Sequence, residues 1–141
     1  MEKHKIGYTN TFIQVAADCP VDKGEIPVAK KQTKPAHVFQ FELLTQKPYT
    51  YDHEELTYQV HVLQKEIPES VLEVEGEKIR EALFSKGHPC MRASSLTKRY
   101  GWGAHYNEEG KIAIFPLESE AYERLSTTEE IKNLPAMKSK R

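Results

Sequence analysis

Apolar positions along this chain change period several times, and the changes mark out its elements. From Tyr8 to Ala17, YTNTFIQVAA is β-branched and aromatic, with Thr11, Ile13, Val15 and Ala17 on one side of a two-residue period. That pattern is expected to form a strand with this side inward. Residues 18–34 carry prolines, a glycine and several lysines, which suits a long loop. At Pro35 the period lengthens: Ala36, Phe39, Leu43 and Leu44 share one helical face, so a helix from about Pro35 to Gln46 is expected. The alternation His37, Phe39, Phe41, Leu43 leaves a strand as the alternative.

Pro48 ends that element, and PYTYDHEE makes a turn into LTYQVHVL, where Leu56, Tyr58, Val60 and Val62 alternate with polar residues as in a half-buried strand. Pro68 and the spacing Ser70-x-x-Glu73 mark a helix start of the capping-box kind. Leu72, Ile79 and Leu83 form its stripe, Gly87 stands at its end, and Gly76, costing about 1 kcal/mol against Ala, is expected to bend or split it. WGAHY and KIAIF around Asn107 to Gly110 read as a hairpin. Ser119 then opens a short helix with Ala121, Tyr122 and Leu125, and residues 1–6 and 133–141 are expected to fray.

Strands and helices mixed without a βαβ rhythm point to an α+β fold: a single domain with a mainly antiparallel sheet, two or three helices and a C-terminal hairpin-helix unit. The length of 141 residues agrees, being enough to bury roughly two-thirds of the unfolded surface around one core. A net charge of −1 creates no global field for DNA or membrane, so anion recognition would need a local patch. No apolar run approaches the roughly 20 residues of a membrane helix, and MEKHKIGYTN lacks the apolar centre of a signal peptide. Cys19 and Cys90 form no CxxC pair. A cytoplasmic protein with two free thiols is the simplest expectation, with a disulfide between them as the alternative.

Candidate chemistry gathers between Cys90 and Tyr122. Arg92, Lys98 and Arg99 stand near the hydroxyls of Ser94 and Ser95, and the single Trp, Trp102, lies between Gly101 and Gly103. If a serine caps a short helix here, the cations and free N–H groups would converge on a phosphate or carboxylate, with Tyr100, Trp102 and Tyr106 as stacking surfaces. The expected ligand-binding set is therefore Arg92, Ser94, Ser95, Lys98, Arg99 and Trp102, for an anionic small molecule or nucleic acid. The alternative is a solvated basic turn beside core aromatics.

Ser95-x-x-Lys98 also fits the SxxK pattern of penicillin-recognising enzymes, but neither SDN nor KTG accompanies it. Cys90, two residues from His88 and from Arg92, is a candidate nucleophile or redox thiol, with His88 or His105 as its base. His61 and His105 would face each other if both lay on neighbouring strands. Asp52, Glu54 and Glu55 fit the charge that complements a helix start better than a catalytic pair. The scattered histidines indicate no metal, no cofactor is implied, and a partner surface at Tyr100 and Trp102 is a further possibility. Oligomeric state stays open.

YTNTFIQVAADCPVDKGEIP, LLTQKPYTY and CMRASSLTKRYGWGAH together resemble a family of small bacterial proteins whose function is not established. The resemblance spans nearly the whole chain. It implies a soluble bacterial protein of one domain, with no activity, cofactor or catalytic residue to carry over. The order of elements near the end, a hairpin followed by a helix, is also similar to the YjbR-like small α+β proteins.

Overall fold

The computed structural model describes residues 8–29, 34–88 and 90–138. Residues 1–6 and 139–141, expected to fray, lie outside this range, as do residues 30–33 of the long loop. Four strands form one mixed sheet: β1 (Thr11–Gln14), β2 (Trp102–Tyr106), β3 (Ile112–Pro116) and β4 (Lys132–Pro135), in the order β3-β2-β1-β4. The first three are antiparallel neighbours, and β4 runs parallel to β1. Five helices accompany it: α1 (Ala36–Gln46), α2 (His53–Gln64), α3 (Glu69–Leu83), α4 (Ser95–Lys98) and α5 (Glu120–Thr127). The fold is α+β, a single small domain whose sheet does not close on itself.

Ile13, Ala104, Tyr106, Ile112 and Ile114 pack in one cluster with Leu44 of α1, Leu56 and Val60 of α2, Met91, and Leu96 of α4. The opposite face meets α5, where the rings of Phe12 and Tyr122 pack edge to face at 4.9 Å. Because both faces are covered, Phe12 is as deeply buried as Thr11 and Ile13, so β1 does not show the one-sided burial expected of it. It ends at Gln14, and Ala17 is exposed rather than inward.

The segment LTYQVHVL is a helix, not a strand. Asp52 caps α2 by accepting the Glu55 N–H at 2.8 Å, and Glu54 and Glu55 place negative charge in the first turn. Leu56 and Val60, four residues apart, face the core, while Tyr58 is buried on another side beneath Arg80 of α3. A helix packed on two sides buries residues two apart as well as four apart, which imitates a strand's period.

Helix α3 runs unbroken through Gly76, where a Cβ would lie 3.3 Å from the Tyr58 hydroxyl. Pro68, not Ser70, occupies its N-cap with no side-chain hydrogen bond, and the helix ends at Leu83, before Gly87. Arg80 ties it to α2 through Glu55 at 2.8 Å and Glu54 at 3.6 Å.

The chain end does not fray at residue 133. Lys132 N–H and Ala136 N–H donate to Asn10 and Gln14 carbonyls across the parallel ladder, and Ala136 is buried. Arg92 closes the outer side of β4: its Nε–H donates to the Pro135 carbonyl at 2.9 Å, and its own carbonyl accepts the Met137 N–H. At the other margin Tyr49 N–H donates to the Ile112 carbonyl, and Ile112 N–H donates to the Tyr51 carbonyl, so the α1–α2 link covers β3.

Candidate functional site

Helices α1 and α2, the end of α3 and the turn before α4 enclose a cleft made of two hollows. The larger, about 210 Å³, is walled by Thr57, Val60, His61 and Gln64 of α2 together with Leu83 and His88. The smaller, about 180 Å³, is walled by His37, Cys90, Ala93, Ser94 and Ser95. Ala36 and Gln40 of α1 line both, so Gln40 stands at the saddle between them.

Local structure fixes the polar groups of this cleft. Ser94 caps α4 by accepting the Leu96 N–H at 3.2 Å, and its hydroxyl donates to Gln40 Oε1 at 2.7 Å. His88 Nε2 lies 2.6 Å from the Leu83 carbonyl. A carbonyl only accepts, so Nε2 carries the proton and Nδ1 is left as an acceptor in the neutral ring. His37 stacks on Tyr100 with ring centroids 5.0 Å apart. Burial lowers the pKa of His37, and burial followed by the charges of Lys65 and His88 lowers that of His61. Both imidazoles therefore favour the neutral form near pH 7.

Of the residues singled out in the sequence, Ser94, Ser95, Cys90, His88 and His61 line the cleft. Arg92, Lys98, Arg99 and Trp102 line neither hollow. Arg92 is engaged with Pro135, and Arg99 is exposed just past α4. Trp102 packs edge to face on Phe41 at 5.1 Å, and its indole N–H donates to the Glu25 carbonyl at 2.8 Å, which pins the long loop to β2. Tyr106 is wholly buried, its hydroxyl accepting the Met91 N–H. Its ring is therefore closed to any ligand.

His61 and His105 do not face each other, because α2 is a helix and His105 sits on the sheet face that meets α5. There His105 Nδ1 is 2.7 Å from the Tyr49 hydroxyl, and its buried Nε2 has no hydrogen-bond partner among the described residues. Cys90 lies on the other side of the sheet with its sulfur 3.9 Å from the Tyr8 hydroxyl, so His105 cannot serve it as a base. Cys19 and Cys90 are both free thiols. Among the described residues no group of three or more His, Cys, Asp or Glu is placed to hold a metal ion.

His37, Gln40, Thr57 and Gln64 were not singled out by the sequence reading. For Thr57 and Gln64 the signal is a polar stripe, Thr57, His61 and Gln64 at positions i, i+4 and i+7, which is visible only once this segment is taken as a helix. None of the described helices is long and apolar enough to cross a membrane.

No curated protein and no solved structure matches the chain. A protein-family model described as a family of unknown function (DUF6157) matches residues 3–141, nearly the full length. The chain belongs to that family.

Proposed function

We propose that the protein is a binding domain for a small polar molecule held in the cleft between α1, α2 and the turn before α4. One observation carries this reading: two hollows lie side by side with Ala36 and Gln40 lining both, and the Gln40 amide oxygen is held by Ser94. Each hollow is below the ~300 Å³ at which drug-sized ligand sites begin, which suits a small molecule. Its walls hold imidazoles, amides and hydroxyls but no Lys, Arg, Asp or Glu side chain. An uncharged hydrogen-bonding ligand suits them better than the phosphate or carboxylate expected from Arg92, Lys98 and Arg99. A cytoplasmic setting, consistent with the two free thiols, and a bacterial origin, implied by the resemblance alone, belong to the same proposal.

Nuclear magnetic resonance with the full-length protein tests it, using a panel of nucleosides, sugars, amides and nucleotides. Shift changes are expected to concentrate at Gln40, His61, His88 and Ser95. A panel in which no member moves those signals would end the reading.

A second reading rests on Cys90, which lines the smaller hollow beside His37 and Ser95. As a reactive thiol it would be alkylated by iodoacetamide at a rate well above that of a free cysteine. A rate at the free-thiol level removes this reading and leaves the binding cleft intact.

A further inference from the structure

Gln40 and His88, which both line the larger hollow, differ in hydrogen-bonding sense, and each sense is set by a neighbour in the fold. Ser94 accepts the Leu96 N–H and donates its single hydroxyl proton to Gln40 Oε1. The amide of Gln40 is thereby oriented, and its Nε2 presents donors only. His88 donates its Nε2–H to the Leu83 carbonyl, so in the neutral ring its Nδ1 is an acceptor. Among the described residues neither Gln40 Nε2 nor His88 Nδ1 has a hydrogen-bond partner, and neither is a buried unsatisfied atom. Both residues line the larger hollow. Val60, Leu83 and Ala36 supply apolar wall around them.

We propose that this hollow recognises a cyclic amide, such as the edge of an oxo-pyrimidine, whose carbonyl accepts from Gln40 Nε2 while its ring N–H donates to His88 Nδ1. Such an edge carries an acceptor beside a donor on one plane and needs no counter-charge, as a wall without ionic side chains requires. Sites built to pair a substrate N–H reject analogues that lack it, because the site's own acceptor is left unpaired. The inference rests on the cleft reading above and narrows it to a ligand class, with Gln40 and His88 as the residues that determine specificity and Ser94 as the residue that positions Gln40.

The test titrates the full-length protein with uracil, with 1,3-dimethyluracil, which keeps the ring but lacks the N–H, and with benzoate as an anionic ring. Nuclear magnetic resonance follows the Gln40 side-chain amide and the His88 ring. Uracil is expected to shift both, dimethyluracil to bind at least tenfold more weakly, and benzoate to leave them in place. Gln40→Leu is expected to lower uracil affinity at least tenfold, and Ser94→Ala several-fold. Since Ser94 also caps α4, Gln40→Leu with an unchanged backbone spectrum is the decisive variant. Equal binding of uracil and dimethyluracil, or uracil binding unchanged in Gln40→Leu, overturns the inference. It also fails if nucleosides, sugars or open-chain amides shift the cleft while uracil does not, an outcome that leaves the broader reading standing. If no probe of any kind moves the cleft signals, both fall together.

Discussion

Gly103 shows how one missing side chain shapes a face of the sheet. A Cβ there would come within 2.5 Å of Phe12 and 2.6 Å of Tyr122, so the edge-to-face pair that fastens α5 exists only because this position is bare. Gly103→Ala forces those rings or β2 to shift and is expected to destabilise the protein by roughly 1–3 kcal/mol. Urea unfolding checks this, and a midpoint equal to wild type would contradict it. The neighbouring Trp102, the most conspicuous residue of the sequence, has a comparable structural task, since its indole N–H holds the Glu25 carbonyl of the long loop.

Among the elements, α2 owes its helical state to its first turn. Asp52→Ala removes the acceptor for the Glu55 N–H and is expected to cost about 1 kcal/mol, read as a lower thermal midpoint. Asn is expected to restore most of that loss. The same turn explains what was legible in the sequence. Pro35 before α1, the Asn107–Gly110 turn and the Ser119 cap are local signals, and the elements they mark stand where expected. For α2 the cap at Asp52 pointed to a helix and the alternation Leu56, Tyr58, Val60 to a strand. The second signal misleads because α3, through Arg80 and Gly76, buries Tyr58 from a side that a one-dimensional pattern does not represent.

Strand β4 was hidden for a different reason. KNLP is short, polar and ends in proline, and it becomes a strand only by pairing with β1 from more than a hundred residues away. Arg92 holds it there, so Arg92→Ala is expected to loosen the ladder locally by about 1 kcal/mol and speed hydrogen exchange at Ala136 and Met137. Unchanged exchange would remove that role. The cleft was legible in part: Ser94, Ser95, Cys90 and His88 lie close together in sequence, whereas Gln40 and Thr57 arrive from helices whose packing no local motif encodes.

At the scale of the whole molecule, imidazoles on both sides of the sheet share one electrostatic condition. Burial lowers the pKa of His37, His53, His61 and His105 below 6.5. As pH falls through 6.5 the unfolded chain takes up protons that the folded chain resists, so stability is full above that value and declines below it. Burial raises the pKa of Tyr49, Tyr106 and Tyr122 above 10, so the unfolded chain loses phenolic protons first and stability also declines as pH rises past 10. The thermal midpoint is expected to be highest between these limits. An unfolding curve that does not move between pH 7 and pH 5 would mean that these histidines are not held neutral.

The two shut margins of the sheet bear on how copies of this protein meet. On β3 the Ile112 N–H and carbonyl are already taken by the Tyr51 and Tyr49 segment, and β4 is only four residues long, ends in a proline and has the last outward carbonyl occupied by Arg92. Fibril growth from the native state needs a long bare rim on which the next molecule can lie. Crowded solutions of this chain should therefore stay free of such polymers until one of those two clasps is undone.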